Sequence, residues 1–116
     1  PEPRPTARGP ERAICLGQLR ELLDGFQGLI QDRDMYYVCH NIVMPLTEEV
    51  QLSYAEVAGS HRAEYFVSHY WGTPFADYVN SMRKHAAATG ADQLGQWQIA
   101  YWICTFALNQ RDLDAE

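Results

Sequence analysis

The run Tyr65-Phe66-Val67-Ser68-His69-Tyr70-Trp71-Gly72-Thr73-Pro74 constrains the fold more than any other part of the chain. Tyr65, Phe66 and Val67 are strand formers that lead straight into a turn. This predicts a strand of a parallel sheet, buried on both faces. Gly72 permits a tight turn, Thr73 suits an N-cap and Pro74 suits the first helical position. Ser68, His69, Tyr70 and Trp71 are thereby delivered to the carboxyl end of a strand, where open α/β sheets place their ligand sites.

The residues after Pro74 extend the pattern. Phe75, Val79, Met82 and Ala86 form one apolar stripe, which predicts a helix over about residues 74–88. Asp77 lies near its start, Arg83, Lys84 and His85 lie toward its end, and Gly90 supplies a stop. Residues 96–98 lead into a second, near-continuous apolar strand over residues 99–107. Strand, helix and strand across residues 65–107 read as a βαβ unit.

Upstream the signals differ. Residues 1–10 contain Pro1, Pro3, Pro5, Gly9 and Pro10 without apolar periodicity, and read as a disordered linker. Leu19, Leu22, Leu23, Phe26 and Ile30 recur at helical spacing and predict an amphipathic helix over about residues 11–31, within an N-terminal helical extension spanning residues 11–43. Residues 35–40 fit either a short strand or a helical turn. Met44-Pro45-Leu46-Thr47 reads as an extended connection, because proline disfavours helix at the residue before it. Ser53 and Glu56 stand at capping-box spacing around a single helical turn.

Composition narrows the function classes. A net charge of −6 and a pI near 5.1 argue against a nucleic-acid partner, which needs a basic stripe. No apolar run approaches a membrane span, and no signal peptide opens the chain. Cys15, Cys39 and Cys104 are odd in number and far apart, which argues for free thiols and a cytoplasmic setting. Cys39-His40 with His61 or His69 matches no zinc spacing, so no metal site is expected. Two parallel strands need more neighbours than 116 residues provide here, so the chain is expected to be part of a larger domain.

Three segments together resemble a known family. Phe66-Val67-Ser68-His69-Tyr70-Trp71-Gly72 resembles the FVSHWWG signature of large dinoflagellate and other protist proteins. Pro45-Leu46-Thr47 through Ser53-Tyr54-Ala55-Glu56-Val57 is similar to its upstream KPxT…SYxEL run. Tyr101-Trp102-Ile103-Cys104-Thr105-Phe106-Ala107-Leu108-Asn109-Gln110 is similar to its YWVCAYANNQ run. That family looks like a relative of TIR and fungal heterokaryon-incompatibility domains. The resemblance implies a partial flavodoxin-like (TIR-like) α/β domain over residues 44–116, a parallel sheet with flanking helices. It further implies intracellular signalling by homotypic association, or cleavage of NAD with release of nicotinamide. Cleaving members use a glutamate on a later helix. Glu116 is wrongly placed for that role, so the chain by itself is expected to be inactive. Phe106-Ala107-Leu108 also departs from the family pattern.

Two functions follow as expectations. In the first, the intact parent binds NAD or a related nucleotide as substrate, with no resident cofactor, at Ser68, His69, Tyr70, Trp71, Gly72, Thr73, Asn109, Gln110 and Arg111, and hydrolyses it. Trp71 stacks on a base, and the amides from Gly72 to Phe75, Pro74 excepted, receive phosphate. The plainer alternative packs Trp71 over the sheet edge, leaves Ser68 and His69 to satisfy local hydrogen bonds, and uses Asn109 and Gln110 to end the second strand. In the second, the domain is a non-catalytic assembly module that pairs like with like. Cys104 reads as an inert thiol in mid-strand.

Overall fold

The computed structural model describes residues 2–113. Pro1 and residues 114–116, Glu116 among them, lie outside the described residues. Three strands form one mixed sheet in the order β1-β3-β2: β1 (Ile14–Cys15), β2 (Tyr65–Val67) and β3 (Ala100–Ile103). β2 and β3 run parallel, with Tyr65 opposite Tyr101 and Val67 opposite Ile103. The expected strand–helix–strand crossover therefore exists. β1 is antiparallel to β3, so the sheet is not wholly parallel.

The crossover consists of α6 (Phe75–Ala88) and α7 (Gln93–Gln98), numbered after the five upstream helices given below. Phe75, Val79, Met82 and Ala86 are buried, as the stripe predicted, and Tyr78 joins them. The helix starts one residue later than expected: Pro74, not Thr73, occupies the capping position. α7 is an addition to the sequence reading. Asp92 caps it, its Oδ1 accepting from the Gly95 amide at 2.7 Å.

The expected helix over residues 11–31 divides. Ala13-Ile14-Cys15-Leu16 is a continuous apolar run with a β-branched residue inside it, and its Ile14 and Cys15 pair with β3 rather than winding into helix. α1 (Leu16–Gly25) then begins, breaks at Phe26, and a single turn, α2 (Gln27–Ile30), follows. Gln18 fixes this junction. Its Oε1 accepts the Cys15 N–H at 2.8 Å, and its Nε2 donates to the carbonyls of Ala58 and Gly59.

Residues 35–47 are helical throughout: α3 (Met35–Val38), a π turn (Cys39–Val43) and α4 (Met44–Thr47). The expected extended connection at Met44–Thr47 is thus corrected. A proline ring collides with the carbonyl four residues back in a regular α-helix. Here the turn before Pro45 is widened, with the Met44 N–H reaching the Cys39 carbonyl, which accommodates the ring. α5 (Tyr54–Ala58) carries the predicted capping box between Ser53 and Glu56.

The second strand is shorter than expected. It ends at Ile103, and α8 (Cys104–Ala107) follows directly, burying Thr105, Phe106 and Ala107. Strand alternation would turn one of those three outward, whereas a helical turn buries all of them. Cys104 is therefore at a strand-to-helix junction and half-buried, not in mid-strand. β2 likewise departs from the expectation of burial on both faces: it is the sheet edge, and Phe66 is 62% exposed.

The core joins Ile14, Leu19, Leu22, Ile30, Phe75, Val79, Tyr101 and Ile103, with α1 packed on α6. Residues 2–10 carry no helix or strand, yet they are attached. The Arg4 N–H donates to the Glu56 carbonyl, and the Thr6 N–H donates to Glu56 Oε2 at 2.6 Å. The reading of a free linker gives way to a segment tied to α5. Among the described residues no helix is long and apolar enough to cross a membrane.

Candidate functional site

Ser68–Thr73 emerges from the carboxyl end of β2, as expected, and the entry into α3 holds it in place. The Phe75 N–H donates to the Arg33 carbonyl at 2.9 Å, and the Tyr36 N–H donates to the Trp71 carbonyl at 3.2 Å. The Tyr36 ring stacks on Trp71 with centroids 5.1 Å apart and planes at 24°. Trp71 also meets the His69 ring at a steep angle, with centroids 4.7 Å apart. Its indole already has two aromatic neighbours in the protein, which favours the packing role over base stacking.

The anticipated phosphate cradle is largely spent. The Thr73 amide donates to the Tyr70 carbonyl at 3.0 Å, the Phe75 amide is taken by Arg33, and Pro74 has none. Tyr70 points outward, 77% exposed, and its ring covers Gly72 so closely that a side chain there would displace it.

His69 is the centre of the arrangement. Its Nε2 is 3.0 Å from the hydroxyl of the fully buried Thr105, on α8. Its ring stands in T-shaped contact with those of both Trp71 and Tyr78. Burial lowers its pKa below the ordinary 6.5, so the imidazole is neutral at neutral pH. A histidine with a lowered folded pKa contributes stability that is full above about 6.5. That contribution is lost as pH falls through the window between 6.5 and the lowered value. The melting midpoint should therefore fall on acidification into that window, and His69→Gln should flatten the decline. Parallel pH profiles for the two proteins would contradict this.

A cleft of about 250 Å³ opens beside His69, walled by Phe66, Ser68, Trp71, Trp102 and Cys104, with no acidic residue in its lining. Phe66 and Trp102 lie ring against ring at 5.6 Å on neighbouring strands. His69 Nδ1 and Trp102 Nε1 are both buried without a hydrogen-bond partner among the described residues. An unsatisfied buried polar atom costs about 1–3 kcal/mol, and both residues that carry one here belong to the lining of this cleft. The Tyr78 hydroxyl is a third such atom, and burial raises its pKa. Tyr78→Phe should stabilise the fold by about 1 kcal/mol in a denaturant titration. An equal loss would mean the hydroxyl is satisfied in solution. Cys104 lines the cleft, but burial raises its thiol pKa, opposite to what a nucleophile requires.

Asn109, Gln110 and Arg111 do not join this cleft. The carboxamide of Asn109 donates to the Gln51 carbonyl at 2.8 Å, and its oxygen accepts the Arg111 N–H. Gln110 caps α8 through the Cys104 and Thr105 carbonyls, and the Arg111 guanidinium binds the Thr47 hydroxyl and the Met44 carbonyl. Arg111 thereby fastens the chain after α8 onto α4, and Asn109 ties it to the segment that follows α4. The sequence reading missed Thr105, Trp102 and Tyr36. Trp102 was recoverable, because it stands beside Phe66 once the two strands are paired in register.

A larger open groove, about 730 Å³, lies between residues 2–6 and α5. Its one buried charged side chain, Glu56, is engaged by Ser53, Thr6 and Arg12, so we favour the smaller cleft. No protein-family model, curated protein or solved structure matches the chain.

Proposed function

We propose that the chain recognises a planar heterocycle, and that it does so as the base-binding part of a TIR-like, flavodoxin-related module acting on NAD or a related nucleotide. One observation carries the reading: His69 Nδ1 and Trp102 Nε1, both unpartnered, belong to one aromatic cleft at the carboxyl ends of a parallel strand pair. The cleft is just below the roughly 300 Å³ at which ligand pockets begin, which suits a single ring system such as nicotinamide rather than a whole dinucleotide. Indole N–H can only donate, and in the tautomer whose Nε2–H donates to the Thr105 hydroxyl the imidazole Nδ1 accepts, a pair matched to a carboxamide or base edge. Cleavage of a glycosidic bond needs a carboxylate beside the oxocarbenium-like centre. That group would have to come from outside this cleft, so the described residues support binding and not hydrolysis.

Calorimetric titration with NAD and with nicotinamide tests the reading. Both ligands should bind, and Trp102→Phe, which keeps the ring and removes the N–H, should weaken them about three- to tenfold. Binding that is absent, or unchanged in the folded variant, contradicts it.

The assembly alternative also has an observation in its favour. The β2 edge is open, and Phe66 is exposed beside Tyr65 and Trp102. On that reading wild-type chain self-associates with rising concentration in light scattering and Phe66→Lys stays monomeric. A monomeric wild type rejects it.

A further inference from the structure

The chain is acidic overall, with a net charge of −6, and its only lysine, Lys84, stands next to Arg83 just before the last turn of α6. Both side chains are exposed, and neither has a carboxylate partner within ion-pair distance among the described residues. They line a cleft of about 270 Å³ between α1, α6 and α7, together with Asn80, Gln93, Gln96 and Trp97. The Arg83 guanidinium stands 5.9 Å from the Trp97 ring centroid, at the outer limit of a cation–π contact.

We propose that this cleft binds a small planar aromatic anion, specifically an aromatic or heterocyclic phosphate ester. The ring lies against Trp97, and Arg83 and Lys84 receive the phosphate. Arginine suits this task because its fork pairs with phosphate oxygens while its plane stacks on aromatic faces. The exposed side-chain amides of Asn80 and Gln93 have no hydrogen-bond partner among the described residues and remain available to the ligand. Gln96 does not, since its Nε2 donates to the Ala91 carbonyl at 2.9 Å.

The plainer account of two basic residues on a helix is compensation of its C-terminal dipole. That effect is confined to the last turn, where the basic residue is His85. Arg83 and Lys84 precede that turn. The acidic groups nearest in sequence do not fill the cleft: Asp92 is committed to capping α7, and Asp77 lies in the first turn of α6 and is no part of the lining. The position of Trp97 is also set tightly, because its carbonyl sits where a Cβ on Gly17 would come within 3.3 Å.

Adenosine monophosphate, adenosine and inorganic phosphate are the probes, read by two-dimensional NMR of the tryptophan indole N–H groups. Adenosine monophosphate should shift the Trp97 signal saturably, with adenosine and phosphate each at least tenfold weaker. The Arg83→Gln/Lys84→Gln double variant should lose at least tenfold in affinity, and added salt should weaken wild-type binding. The Trp102 signal, which reports the other cleft, is followed in the same spectra, so the two sites fail independently. No Trp97 shift at millimolar nucleotide, or equal binding by the double variant, overturns the proposal.

Discussion

Glu56→Ala is expected to destabilise the chain by about 3–5 kcal/mol, the cost of removing one partner from a buried ion pair. Glu56 is 2% exposed, and its carboxylate serves three parts of the chain. Oε1 accepts the Ser53 N–H at 3.0 Å and the Ser53 hydroxyl at 2.9 Å, and lies 3.6 Å from Arg12 Nε. Oε2 accepts the Thr6 N–H at 2.6 Å. Alanine therefore removes the carboxylate half of the capping box, the counter-charge of Arg12 and the side-chain tie to Thr6 in a single step. The melting midpoint should drop by more than about 10 °C. Limited proteolysis should cut the variant within residues 4–10, where wild type resists. Glu56→Gln keeps one acceptor oxygen and should lose less. A midpoint within a few degrees of wild type would mean that this cluster does not hold the N-terminal segment.

Phe75→Ala should cost about 3–5 kcal/mol as well, through lost burial and the cavity left behind. Phe75 is fully buried, meets Phe106 edge-on at 6.2 Å, and opens α6. Its amide also ties the Ser68–Thr73 loop to Arg33. The damage should therefore spread from the core to the site: the Tyr36–Trp71 stack loosens and His69 loses its packing. Hydrogen exchange in the loop should speed up more than the global loss requires. Phe75→Leu, which fills most of the space, should restore loop protection and most of the stability. Equal losses for the alanine and leucine variants would contradict a cavity mechanism.

How much of the fold was legible in the sequence depends on the range of the interactions involved. The Ser53–Glu56 capping box, the α6 stripe and the stop at Gly90 are local, and each falls where the residues indicate. The parallel pairing of β2 and β3 follows from strand signals on either side of one long helix. β1 was not legible, because its strand character depends on an open edge of β3 far along the chain. Pro45 misled for a related reason: a widened turn next to it removes the clash on which the rule rests.

The site divides in the same way. Ser68–Thr73 lies where strand-to-helix logic puts it, but what those residues do is decided by Arg33, Tyr36 and Thr105, which no spacing reveals. Asn109–Arg111 read as ligand contacts because their side chains are polar and follow a strand. A helical turn intervenes, and three nearby backbone and hydroxyl groups absorb much of that polarity.

The most direct measurement is the indole N–H NMR signal of Trp102 during titration with nicotinamide. If the cleft beside His69 recognises a heterocycle, that signal shifts saturably while the Trp97 signal stays fixed, and His69→Gln weakens the effect. If the Trp102 signal does not move, or if all three indoles drift together, the cleft is not a heterocycle site and the account fails.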